Sequence, residues 1–195
     1  MDECLIHSQF QSGAEYRQQE SRPSSSGTTC ESFVLELPDG DIVTVNKRPG
    51  IDEFLKKVGQ KWETYIFTAA MEVYARPVLD VLDPNDELIA SRFYRDSCTY
   101  NQLGVYVKDL SKIVPDDRDL KRVVLVDNNP LSFMAQPENG ILVSNFYDDS
   151  DDESLPAVYK LLEEIDELND VRPKLDNKFG LRIALEAKFG PDFNQ

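Results

Sequence analysis

The 195-residue chain has one histidine and three cysteines, and each scarcity narrows the chemistry open to it. His7 is the sole histidine, so a Cys-His or Ser-His nucleophile system would have to use it, a reading the sequence does not favour. Cys4, Cys30 and Cys98 are widely spaced, fit no metal-ligand spacing and leave one unpaired after any disulfide. A reducing intracellular compartment is therefore expected. No apolar run is long enough to span a bilayer, and the N-terminus lacks the charged and apolar regions of a secretory signal. Basic residues are also in short supply: 21 Lys and Arg stand against 36 Asp and Glu, for a formal charge of −15. Binding along a nucleic-acid backbone needs clustered Lys and Arg, so no direct nucleic-acid partner is expected.

What the sequence does have is two apolar runs that end in small polar residues. Val123-Val124-Leu125-Val126 runs without alternation into Asp127-Asn128-Asn129-Pro130, the pattern of a parallel strand buried on both faces. Tyr65-Ile66-Phe67 leads in the same way into Thr68-Ala69-Ala70. In open α/β sheets ligands bind beyond the carboxyl ends of such strands, so the site is expected between these two ends. Around them, a mobile loop is expected over residues 9–31. A β-hairpin is expected from Phe33–Leu37 and Ile42–Val45 around Pro38-Asp39-Gly40-Asp41. Helices are expected through Phe54, Leu55 and Val58, over Met71–Leu82 ended by Pro84, and over Leu155–Leu168 behind the acidic run Asp148–Glu153, whose carboxylates suit a helix N-terminus. Further core strands are expected around Leu88–Tyr94 and Ile141–Ser144, and a short helix over Leu181–Lys188.

Several segments, taken in order, resemble the small CTD phosphatases of the haloacid dehalogenase superfamily. They are Asp2-Glu3-Cys4-Leu5-Ile6-His7-Ser8, Lys47-Arg48-Pro49, Ile66-Phe67-Thr68-Ala69, Tyr106-Val107-Lys108-Asp109-Leu110-Ser111 and Val126-Asp127-Asn128-Asn129-Pro130. The resemblance implies a doubly wound parallel α/β sheet with a β-hairpin insertion over residues 9–47, a domain over 1–170 and a tail over 171–195. It also implies Mg2+-dependent hydrolysis of phosphoserine or phosphothreonine in proline-containing protein segments, such as the RNA polymerase II tail, through an aspartyl-phosphate. A nuclear or cytoplasmic location goes with that reading. The alternative is a non-catalytic peptide-binding module similar to the family's mitochondrial inner-membrane translocase branch.

Carried over residue by residue, the resemblance makes Asp2 the general acid and base and, through its backbone carbonyl, a metal ligand. Asn128 becomes the ligating amide, and Asp127 the carboxylate that steadies metal-bound water. Thr68 and Lys108 hold the transferring phosphoryl, Arg95 contacts substrate phosphate, and Phe10, Leu35, Leu37, Val43 and Met71 form an apolar pocket for a proline. Taken alone, the same residues would be a terminal acid, an Asx turn, a capping threonine, a surface lysine, an exposed ion pair and hairpin packing.

One departure follows from the resemblance: the attacking aspartate, and the central strand carrying it, would stand immediately before Met1. The sequence leaves open an incomplete gene product or a natural form without the covalent intermediate, and the intact downstream motifs favour the first. The expectation is that the 195 residues hydrolyse no phosphate ester and melt below a chain extended by the upstream strand. Each buried unpaired polar group costs about 1–3 kcal/mol, against whole-domain stabilities of about 5–15 kcal/mol. Thermal unfolding and p-nitrophenyl phosphate hydrolysis of the two chains, side by side, check this; equal melting and equal turnover would refute it.

Overall fold

The computed structural model describes residues 1–12, 30–115, 118–191 and 193. The chain starts in a tight turn: the N–H groups of Cys4, Leu5 and Ile6 all point to the Met1 carbonyl, at 2.8–3.4 Å, and Glu3 takes a left-handed φ of 51°. Strand β1 (Ile6–Ser12) follows, then β2 (Ser32–Glu36) and β3 (Asp41–Lys47), in the antiparallel order β1-β3-β2. The expected hairpin is thus a three-stranded sheet. Gln9–Ser12, read from composition as loop, pair with Asp41–Thr44 instead, because β3 supplies the backbone partners that polar side chains do not advertise. The rest of the expected loop, residues 13–29, lies outside the described residues.

Helix α1 (Ile51–Lys61) buries Ile51, Leu55 and Val58, spaced as one helical face, and delivers the chain to β4 (Tyr65–Phe67). Helix α2 (Glu72–Leu82) runs straight through Pro77, since Tyr74, Ala75, Val78, Leu79 and Leu82 are all buried and their packing outweighs the missing hydrogen bond. It ends at Leu82, just ahead of Pro84 as expected, and the buried Asp83 carboxylate then accepts the N–H groups of Glu87, Leu88 and Ile89 at 3.0–3.3 Å. With those donors taken, the expected strand over Leu88–Tyr94 shortens to β5 (Ser91–Phe93), parallel to β4.

The polar stretch after it folds into a small antiparallel pair, β6 (Thr99–Tyr100) and β7 (Tyr106–Val107). The next strand also forms later than its apolar run suggests, as β8 (Leu125–Asp127). The buried Asn139 amide donates to the carbonyls of Leu120 and Val123, both at 2.7 Å, and so removes the start of the run from pairing. Strand β9 (Gly140–Leu142) lies parallel to β8, and the chain ends in α3 (Ser154–Asp166), α4 (Arg172–Phe179) and α5 (Leu181–Phe189). Leu175, Leu181 and Leu185 of the last two helices are buried, and a Cβ on Gly140 would stand 2.5 Å from Leu181 Cδ1, which fixes how closely α5 approaches the sheet.

The parallel sheet therefore exists as two halves, β4–β5 and β8–β9. No described strand pairs with the second edge of β4 or of β8, and the central strand implied by the resemblance has no counterpart among the described residues. Between those edges lies a cavity of ≈ 420 Å³, lined by Tyr65, Ile66 and Phe67 on one side and Val124, Leu125 and Val126 on the other.

Arg48, entirely buried, ties the insertion to this framework. Its guanidinium donates to the Cys4 carbonyl at 2.8 Å, to Ser144 Oγ at 2.9 Å and Ser154 Oγ at 2.7 Å, and bidentately to Asp152 at 2.8 and 2.7 Å. The acidic run thus does more than face a helix N-terminus. Asp152 accepts the Ser154 N–H at 2.9 Å and also neutralises the buried cation. Burial raises the Asp152 carboxyl, but Arg48 and the Ser154 donors outweigh that and hold it below its ordinary 3.8. A carboxyl depressed in the folded state contributes stability above its unfolded value and loses it as pH falls through the folded one. Asp152→Asn is therefore expected to destabilise the domain by about 3–5 kcal/mol near pH 7, and by progressively less below about pH 4, where the unfolded parent takes up the proton before the folded one does. Urea unfolding of parent and variant across pH 3–7 measures both.

Candidate active site

The second large cavity, ≈ 810 Å³ and more open, lies where β4 and β8 end. Asp2, Thr68, Lys108, Asp127 and Asn128 all line it, with Arg95, Phe10 and Met71 towards its rim. Asp127, the last residue of β8, is 2% exposed and forms an ion pair with Lys108, itself buried just beyond β7. Its Oδ1 accepts the Asn129 N–H at 2.8 Å. Burial pushes the Asp127 carboxyl up; the nearby Lys108 ammonium, with the Asn129 N–H, counters that and helps hold it below the usual carboxylate range. Both the Asx turn and the charged pair are thus present at one residue. Lys108 N–H also bonds to the Ser132 carbonyl at 3.1 Å, which pins its backbone to the segment after β8.

On the other half-sheet, Thr68 is 2% exposed, and its N–H donates to the Phe93 carbonyl at 2.9 Å. Its Oγ1 accepts the Ala70 N–H at 3.1 Å, a local cap that leaves the hydroxyl proton for a second acceptor. Asp2 projects from the turn before β1, and its carboxylate accepts a hydrogen bond from the Tyr74 hydroxyl. Asn128 Nδ2 donates to Asn145 Oδ1 at 3.0 Å, so the Asn128 side-chain oxygen keeps its acceptor capacity. Arg95 forms no ion pair among the described residues. Its Nε donates to the Ala69 carbonyl at 2.5 Å and its guanidinium lies over the Tyr106 ring, 5.2 Å from the centroid. These contacts fix the base of the guanidinium and leave its terminal nitrogens for an anion.

The five apolar residues expected in a proline pocket separate. Phe10 and Met71, 55% and 53% exposed, line the cavity. Leu37 and Val43 are buried in the main core and Leu35 packs against it, so none of these three reaches the cavity surface. Val43 pairs opposite Phe10 and Leu35 and supports that face from beneath. Tyr74, which the sequence reading passes over, lines the cavity beside Phe10, ring centroids 5.1 Å apart. Its signal was the helical spacing back from Val78 and Leu82, four residues at a time. His7 lies outside the cavity, its Nδ1 3.6 Å from Glu3 and its ring edge-on to Tyr147. Burial pushes the Cys4 and Cys98 thiols up, which argues against either as a thiolate nucleophile.

The family fold implies a divalent metal. Among the described residues no three His, Cys, Asp or Glu side chains gather to hold an ion. The Asp2 backbone carbonyl, the Asn128 amide and the Asp127 carboxylate instead offer a few hard oxygens, a donor set that fits a cation which keeps several of its waters.

The family of NLI interacting factor-like phosphatases matches residues 1–172, and the chain belongs to it. It is 45% identical over 139 residues to the "CTD small phosphatase-like protein 2" of Dictyostelium discoideum, covering 71% of this chain and 24% of that protein. To the mouse (Mus musculus) "Carboxy-terminal domain RNA polymerase II polypeptide A small phosphatase 2" it is 36% identical over 177 residues, covering 90% of this chain and 58% of that one. The chain therefore spans about a quarter to somewhat over half of these relatives. The fold is similar to that in "The Structure of Fcp1, an essential RNA polymerase II CTD phosphatase", with a TM-score of 0.64 at 16% identity over 98% of this chain and 65% of that one. These proteins are all named as phosphatases, and the translocase-like alternative draws no support from them. No helix among the described residues is long and apolar enough to cross a membrane.

Proposed function

We propose, from membership of this family, that the domain is a Mg2+-dependent protein serine/threonine phosphatase for proline-containing segments such as the polymerase II tail, work that belongs in the nucleus. The observation that carries the reading is the gathering of Asp2, Thr68, Lys108, Asp127 and Asn128 around one cavity at the ends of β4 and β8. Met1 lines the cavity, and by the resemblance the attacking carboxylate would stand one position before it. Its oxygen bonds to phosphorus as the serine oxygen leaves, and Asp2 gives that oxygen its proton. Water then attacks the acyl phosphate, Asp2 takes the proton back, and phosphate and carboxylate are restored. Lys108 and the Thr68 hydroxyl stand ready for the equatorial oxygens, where charge accumulates in the transition state. Arg95 meets the incoming phosphate, and Phe10 with Met71 supplies an apolar surface for a neighbouring proline. Mg2+ would be held by the Asp2 backbone carbonyl and by Asn128, with Asp127 acting through water; when bound it offsets the phosphate charge.

In a chain carrying the upstream aspartate, Thr68→Val and Lys108→Met are each expected to lower kcat on a phosphoserine peptide by about 10²–10³. Thermal unfolding of the same samples separates lost chemistry from lost folding, which matters for Lys108 because its removal leaves Asp127 buried without a counter-charge. Full activity in both folded variants would sink the assignment. Asn128→Ala should raise the Mg2+ concentration needed for half-maximal activity while leaving the peptide KM within about twofold. A magnesium titration that overlays the parent's removes Asn128 from the metal site.

A further inference from the structure

We infer that Tyr74 is the positioning residue for Asp2, and that its ring makes substrate seating against Phe10 and proton transfer at Asp2 parts of one unit; this rests on the phosphatase reading of the site. The Tyr74 hydroxyl touches both Asp2 Oδ1 and Ser8 Oγ, the latter at 2.5 Å. It has a single proton. A carboxylate only accepts, so the proton goes to Asp2, and the contact with Ser8 is completed by the Ser8 hydroxyl donating to the phenol oxygen. Ser8 O–H, Tyr74 O–H and the Asp2 carboxylate thus form a directed chain that fixes one oxygen of Asp2 and leaves Oδ2 for the leaving group.

The anchor of that chain is rigid. Tyr74 sits in the first turn of α2, its N–H on the Met71 carbonyl at 3.1 Å, and the next residues of that face, Ala75 and Val78, are fully buried. Asp2, by contrast, sits in a turn held through its backbone, by the bonds to the Met1 carbonyl, by Phe146 N–H to the Glu3 carbonyl at 2.8 Å and by Arg48 to the Cys4 carbonyl at 2.8 Å, none of which fixes the Asp2 side chain. Its carboxylate would sample several rotamers without a fixed donor, and general acid transfer tolerates little misplacement. The Tyr74 ring also forms one wall of the cavity against the exposed Phe10 ring. An apolar residue that packs on this wall presses on the group that aims the acid.

Tyr74→Phe keeps the ring and removes the hydroxyl. In a chain with the upstream aspartate, the expected result is a loss of about tenfold or more in kcat on a phosphoserine peptide, with KM within about twofold. The loss on p-nitrophenyl phosphate should be several-fold smaller, because nitrophenolate leaves without a proton while a serine alkoxide does not. Equal losses on the two substrates, or a change in KM alone, overturn the proposal. A parent that hydrolyses neither substrate refutes the phosphatase reading instead. The positioning claim is then read from the Asp2 χ1 couplings by NMR in the 195-residue chain: one rotamer in the parent and an averaged set in Tyr74→Phe support it, and identical couplings overturn it.

Discussion

A single fully buried guanidinium decides how the parts of this domain meet. Arg48 is the residue after β3, yet its partners are the carbonyl of Cys4 in the N-terminal turn, Ser144 after β9, and Asp152 and Ser154 at the start of α3. An arginine suits this position because five donors in a rigid fork can serve partners on several elements at once, where a lysine ammonium could not. Isolated, such a cation in the interior would be strongly unfavourable; paired bidentately with Asp152 and with its remaining donors satisfied, it converts that penalty into geometric specificity. The turn it grips begins at Met1 and contains Asp2. The backbone that carries a proposed proton donor is therefore held by a residue 46 positions later in the chain.

The second buried pair has the reverse logic. Lys108 and Asp127 are nearly inaccessible, but they line an open cavity instead of closing a core. In a chain of formal charge −15, a phosphate group would meet a repulsive field over most of the surface. Lys108 and Arg95 place positive charge in the cavity beside the carboxylates of Asp2, Glu3 and Asp127. Asp127 keeps Lys108 in place without an exposed, mobile ammonium, so its charge is already oriented when a phosphoryl group arrives.

Much of this was legible in the sequence where chemistry and strand ends coincide. The runs into Thr68 and Asp127 marked the two half-sheets and the side of the sheet that carries the site, because polar residues after an unbroken apolar run have one favoured place in a parallel sheet. Less legible were the limits of strands. Asn139 takes the carbonyl of Val123 and Asp83 takes the N–H groups of Leu88 and Ile89, and single side-chain competitors of this kind leave no periodic trace. Strand β1 escaped for a related reason: His7, Gln9 and Gln11 alternate with residues of mixed polarity, and only the register with β3 reveals them as a strand. The hairpin residues Leu35, Leu37 and Val43 show the converse error, since an apolar residue beside a site by alignment can still point into the core.

The location of the cavity between β4 and β8 bears on all of these. Thr68 follows the end of one half-sheet and Asp127 ends the other, and among the described residues no strand pairing joins the two halves directly. Their separation is maintained by what spans them: α1, whose Leu55 and Val58 face the gap, α3, whose Leu162 and Ile165 do the same, and the N-terminal turn at its mouth, with Leu5. Apolar packing across a gap is non-directional and resists sliding far less than a ladder of hydrogen bonds does. Directional bonds reach the halves at two ends of the cavity: at the N-terminal turn, where Cys4 Sγ lies 3.7 Å from the Val126 carbonyl and Tyr74 holds Asp2, and before β4, where Glu63 pairs with Arg118. An extended strand between β4 and β8 would pair both edges at once and set the distance from Thr68 to Asp127 by the fixed spacing of about 4.8 Å between neighbouring strands. Completing the sheet and tuning the site are, on this geometry, the same event.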